Sequence, residues 1–345
     1  LGDQLLTEFR MAKYGNTCKL LRDFTGYEGD AAAISAIEVK STTALPTGKT
    51  LNLDLNGHKL AKVGKLDTDD NYIFLITGDT ELNIFSSKAG GVITNAILRT
   101  HIKRLDSVHS NIVGINGDSH GATVNFGDYK NGLGEVVYSG DNLAAITGTL
   151  VYVKQYKELA LDKESININI SGGEYYLPFL AQTALITTRA SNTKIYVDGI
   201  KSYGVGIVNE YSGDTTDGTD VTVKNSEIYA STIIFRAQKG DYYFENSKLF
   251  ASSKFINGYD GGTLTLGAGN TLAGAYNKSD LAHFGYADGV KYLLAENETI
   301  DLGSETFTLE HLAVGQKWAD ALEVTYSDDF DGTVNDKAEA EAVIT

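Results

Sequence analysis

The sequence predicts an all-β solenoid, and three observations predict it. The first is the stretch TLNLDLNGHKL at positions 50–60, where Leu51, Leu53 and Leu55 alternate with Asn52 and Asp54. A period of two puts the leucines on one face of a strand. Asn56 and Gly57 then break it, because Gly accepts the positive φ of a tight bend, and His58 to Leu60 resumes an extended run. The second observation is recurrence. TKIYVDGIKSY (193–203), TDVTVKNSEIY (219–229), GDYYFENSKLF (240–250) and GTLTLGAGNTL (262–272) repeat strand, corner and strand. Aligning Gly199, Ser226, Ser247 and Gly269 gives steps of 27, 21 and 22 residues. A repeat of roughly 20–30 residues marks units that cannot bury an apolar stripe alone and therefore stack. The third is composition: 37 glycines serve many corners, while only 2 prolines interrupt strands.

At the N-terminus, Leu5, Leu6, Phe9 and Ala12 recur at helical spacing from Leu1 to Asn16, with Gly15 and Asn16 as a stop. This predicts a capping helix over the first turn, whose open edge would otherwise recruit other chains. TCKLLRDF (17–24) reads as the first strand, with Cys18, Leu20 or Leu21 and Phe24 inward. The run AKYGNTCKLLRDF (12–24), followed by GKTLNLDLNGHKL (48–60) and TELNIFSSKAGGVIT (80–94), resembles the opening turns of pectate-lyase-like proteins, closest to repeat-carrying bacterial surface proteins. That resemblance implies a single-stranded right-handed parallel β-helix with three parallel sheets. Members of the superfamily include polysaccharide lyases, hydrolases, adhesins and phage tailspikes, so the fold alone does not choose a function.

Further strands are expected at 72–76, 81–85, 112–115, 123–126, 136–138, 150–152 and 166–170, with a helix or loop excursion at 155–163. Beyond Leu272 the pattern loosens. Strands are expected at 292–294, 298–302, 306–309, 323–326 and 342–344, with a short helix at 316–322 holding the single tryptophan, Trp318. The resulting division is a cap and first strand at 1–24, the β-helix at 25–290, and a closure and tail at 291–345.

A hydrophobic fraction of 42% suffices for a core. The formal charge of −16, from 29 basic and 45 acidic side chains, argues against nucleic acid or an anionic membrane as partner. No apolar run of membrane-spanning length is present. Cys18 is the only cysteine, so an intramolecular disulfide is excluded. The start at Leu1, not Met, suggests a removed leader or a trimmed start. Twenty tyrosines exceed what one core holds, so some are expected outside, facing carbohydrate or protein.

Three acidic clusters have the oxygen-rich character that calcium requires: Asp67, Asp69 and Asp70; Asp329 and Asp331; and Asp214, Asp217 and Asp220. The second lacks the first aspartate and the last glutamate of a calcium loop, with Ser327 and Ala338 in those places. Solvated turns rich in Asp are the plainer reading of all three. Arg99, His101 and Lys103 would share one strand face, with Arg104 opposite, and such a face could grip a uronate or sulfated sugar. Asp118 and His120 sit in GDSHG (117–121), which reads as a corner, and adjacent Ser119 and His120 make no triad because neighbouring residues point apart. Asn225 and Asn246 suggest a short stacked asparagine ladder inside the solenoid.

These features give no catalytic constellation. The first expectation is a non-catalytic extracellular structural or adhesive protein that forms a homo-oligomer or binds a surface partner. The alternatives are a secreted lyase or hydrolase of acidic polysaccharide using Arg99, His101, Lys103 and Arg104, and a phage receptor-binding spike.

Overall fold

The computed structural model describes residues 17–27, 37–40, 50–64, 72–97, 111–116, 119–127, 129–130, 136–138, 142–147, 149–153, 164–176, 184–190, 192–204, 206–210, 218–236, 239–259, 261–274, 283–295 and 298–302. Among them the chain is all-β with almost no helix, and long parallel sheets dominate. The expected N-terminal helix, the helix at 316–322 and the strands beyond 302 lie outside the described residues.

Alternating apolar positions build the first ladder, ten parallel strands from Thr17–Lys19 through Thr50–Asp54 and Glu81–Phe85 to Phe284–Tyr286. A second ladder runs from Phe24–Tyr27 through Lys59–Gly64, Gly91–Ile97, Glu174–Tyr176 and Lys201–Gly204 to Lys291–Ala295. A third passes through Ile37–Lys40, Tyr72–Thr77, Asn111–Ile115, Thr149–Val153, Ala184–Thr188 and Gly206–Glu210. The long strands Glu227–Arg236 and Lys248–Ile256 run through both the second and third ladders and join them into one sheet. The chain visits the ladders in cyclic order, returning to the first one step further along. Long parallel sheets entered in this order are compatible with a parallel β-helix.

The core lies between the ladders and is made of stacked apolar positions. Leu53, Ile84, Phe126, Ile170, Val197, Val223, Phe244 and Leu266 succeed one another along the first ladder, and all are fully buried. The bend after Leu55 forms as expected, with Asn56 at φ 52° and Gly57 at φ 80°.

Three readings need correction. TCKLLRDF is not one strand: Thr17–Lys19 and Phe24–Tyr27 belong to different ladders, and Leu21 on the bend between them is 82% exposed. The corner equivalent to Gly199 is Asn225, not Ser226, because Lys201 pairs with Glu227 and the step there is 26 residues. Asn225 and Asn246 carry the positive φ values, 50° and 48°. These two asparagines do form a ladder, but it is exposed, outside the core: Asn246 Nδ2 donates to Asn225 Oδ1 at 2.7 Å, and Asn225 Nδ2 to Asp198 Oδ1 at 2.8 Å. A polar amide in left-handed backbone suits a solvated corner, where its side chain can bond to the next turn.

The strand expected at 136–138 is present but leaves the ladders, pairing antiparallel with Tyr129–Lys130. Near the C-terminal end, Glu298–Asp301 turns back antiparallel on Lys291–Ala295 and covers the edge of the second ladder.

Candidate binding surface

The residues singled out for chemistry lie mostly outside the described region: Arg99, His101, Lys103, Arg104, Asp67, Asp69, Asp70, Asp118, Asp214, Asp217, Asp329 and Asp331. The described residues that flank 65–71 and 98–110 lie at one corner on successive turns, since Gly64 pairs with Ile97 and Tyr72 with Asn111. On one turn buried Lys62 donates across that corner to the Tyr72 carbonyl at 2.8 Å. On the next, its registered neighbour Asn95 donates to the Asn111 carbonyl at 2.6 Å. Asp220 is exposed on the first ladder, where it accepts from the Asp241 backbone amide. Ser119 is buried and His120 partly buried in a turn, where Ser119 Oγ accepts from Gly78 N at 2.9 Å, as a corner residue would. No group of three or more metal-ligating side chains occurs among the described residues.

The outward positions of the second ladder hold a more ordered arrangement. Tyr176, Tyr203, Tyr229 and Phe250 are registered neighbours on four successive turns. Their rings stack face to face, with centroids 5.0, 5.4 and 4.6 Å apart and planes within 13°, 5° and 8°. This follows from register: strands about 4.8 Å apart bring rings on equivalent positions to stacking distance. Each inner ring has both faces covered, so the column shows ring edges to solvent. Tyr176, at its N-terminal end, is 40% exposed.

Two residues earlier on each strand runs a second column, Glu174, Lys201, Glu227 and Lys248, alternating in sign. Lys248 Nζ meets Glu227 Oε1 at 3.0 Å. That bond, ahead of the burial that opposes it, holds the Glu227 carboxyl below its ordinary range. Tyr176 donates to Glu174 at 2.5 Å and Tyr229 to Glu227 at 2.9 Å. The bond to Glu174 first, and burial second, push Tyr176 up to about 12; burial first, then the bond to Glu227, push Tyr229 up to about 12. The two columns are thus tied into one stiff, charge-balanced ridge.

The first ladder carries a polar column on the face opposite its apolar core residues. Buried Asn52 and Asn83 and half-buried Asn125 and Asn169 form a ladder of side-chain amides at 2.8, 2.6 and 2.8 Å, and the register continues to Tyr196, 37% exposed. Buried Glu210 accepts from Tyr242 Oη and from Thr219 N, spanning a corner between turns. It is fully buried, which makes it an anchor for that corner and keeps it from a substrate.

Sequence reasoning missed both columns and the four-asparagine ladder. The signal of the asparagine ladder was available, since NLD, NIF, VNF and NIN each carry Asn one place from an inward apolar residue. It becomes visible only once the turns are set in register. Comparison with protein-family models, with curated proteins and with solved structures gives no match.

Proposed function

We propose that the chain is a right-handed parallel β-helix of pectate-lyase-like architecture that works as a non-catalytic structural or adhesive protein outside the cell. The hand rests on the general rule that crossovers between parallel strands are right-handed in about 98% of cases. The observation that carries the function is the outer ridge of Tyr176, Tyr203, Tyr229 and Phe250 beside Glu174, Lys201, Glu227 and Lys248. Aromatic side chains pre-ordered on a rigid sheet lose little entropy on contact, and they are favoured where proteins meet partners. Edge-on rings offer no stacked face along the column for a sugar, which favours a macromolecular surface over a sugar cleft.

The test presents immobilised protein to cell surfaces and to a panel of polysaccharides, with turnover of the same polysaccharides followed in parallel. Retention on a surface or self-association without turnover, lost in a Tyr203→Ala, Tyr229→Ala variant that keeps its circular dichroism, is expected. Turnover of a uronate polymer overturns the reading, as does a protein that neither binds any surface nor associates with itself.

A further inference from the structure

We propose that the occupant of this ridge is a second copy of the chain, docked face to face and running antiparallel about a two-fold axis. This rests on the function proposed above and names its partner. The argument is the order of the charges. Glu174, Lys201, Glu227 and Lys248 are direct neighbours from turn to turn. Read from the other end, the series is Lys, Glu, Lys, Glu. A reversed second copy therefore sets Glu174 opposite Lys248 and Lys201 opposite Glu227, and symmetry repeats both pairs. The axis passes between the turns of Lys201 and Glu227, perpendicular to the stacking direction. The same operation lays the aromatic column on itself in reverse, Tyr176 over Phe250 and Tyr203 over Tyr229. A copy overlaid in parallel would set Glu against Glu and Lys against Lys, at a cost in like-charge repulsion.

Two further facts favour a second copy. The chain carries a formal charge of −16, so two copies repel on net, whereas this ridge holds two acids and two bases. Its side chains are also held before contact: Glu227 by Lys248 and Tyr229, Glu174 by Tyr176, and the rings by one another. The four turns span roughly 14 Å from first strand to last, so the contact belongs among small interfaces. Association is accordingly weak and sensitive to salt.

The experiment is sedimentation equilibrium of the full chain over a concentration series into the millimolar range, at low and high salt. The wild type is expected to form a dimer, weakened at least tenfold by salt. One variant carries Glu174→Lys with Glu227→Lys, and a second carries Lys201→Glu with Lys248→Glu. Each alone is expected to be monomeric, and an equimolar mixture is expected to restore a heterodimer. Thermal melts run beside these assays identify any variant that fails to fold, and single substitutions at Glu174 and Lys201 then replace it. A wild type that stays monomeric throughout overturns the inference, as do two variants that each self-associate like the wild type. A monomeric wild type that still binds a foreign surface through Tyr203 and Tyr229 overturns the second copy and leaves the adhesive function standing.

Discussion

Tyr203 and Tyr229 lie face to face one turn apart, ring centroids separated by 5.4 Å and planes inclined by 5°. They are 26 residues apart in sequence, and only the pairing of Lys201 with Glu227 brings them together. Each stacked contact contributes about 0.5–1.5 kcal/mol beyond area burial. Because Tyr203 touches a ring on each side, Tyr203→Ala should lose about 1–3 kcal/mol of folding stability from stacking alone, and more with the buried area, by urea denaturation. Tyr203→Phe, which keeps the stack, should stay within about 0.5 kcal/mol of the wild type.

The asparagine ladder should be less forgiving. Asn83 donates to Asn52 Oδ1 and accepts from Asn125 Nδ2 while 1% exposed. Removing that amide strands polar partners away from water, so Asn83→Ala should destabilise by about 2–4 kcal/mol. Asn83→Asp should be worse at neutral pH, where a carboxylate would face Asn52 Oδ1 and nearby Glu81. Its stability should recover on acidification, when the protonated carboxyl regains a donor. Thermal melts at two pH values separate the cases.

Two glycines test how closely the turns approach. A Cβ on Gly240 would lie 1.8 Å from the Thr219 carbonyl oxygen, whereas one on Gly289 meets nothing within 4 Å. Gly240→Ala must push backbone apart and should cost at least about 3 kcal/mol, as overpacking against unyielding atoms does. Gly289→Ala bears only the strain of φ +79° and should cost about 1 kcal/mol. Differential scanning calorimetry of both variants gives the comparison.

Alkaline titration reports on the ridge directly. Tyr176 and Tyr229 are raised to about 12 in the folded chain, against an ordinary tyrosine value near 10. The stabilisation linked to a raised pKa is complete below the unfolded value and is lost as pH rises through the folded one. Stability should therefore fall between about pH 10 and 12. Tyrosinate absorbance should show a late-titrating class, diminished in a Glu174→Gln, Glu227→Gln variant.

Much of the first ladder was legible, because its inward residues impose a period of two, whereas strands of the third ladder such as Thr149–Val153 are buried throughout and carry no such alternation. TLNLD, ELNIF and ININI announced their strands, and Asn56 with Gly57 announced a corner. Register was less legible. Ser226 looked equivalent to Gly199, yet Asn225 occupies that corner, since asparagine tolerates left-handed backbone nearly as glycine does. Leu20 and Leu21 could not be told apart by hydrophobicity, and the bend between two ladders buries one and exposes the other. The ridge stayed hidden for a different reason. Tyr176, Tyr203, Tyr229 and Phe250 are spaced unevenly along the chain, and turn length, set by corners of varying size, decides which of them meet.

The ridge and the ladders depend on stacked, registered turns, and that stacking is measured directly by the distance between spin labels on Thr50→Cys and Asp220→Cys in a Cys18→Ser background. Thr50, Glu81, Thr123, Asn167, Lys194 and Asp220 are successive neighbours in the first ladder. Five strand spacings place the two backbones roughly 24 Å apart, and moving the second label to Lys194→Cys should shorten that to roughly 19 Å. Distances that shrink in this stepwise manner are the predicted result. A separation that does not change when the label moves by one turn, or a distribution too broad to assign, would contradict the stacked architecture and the ridge built upon it.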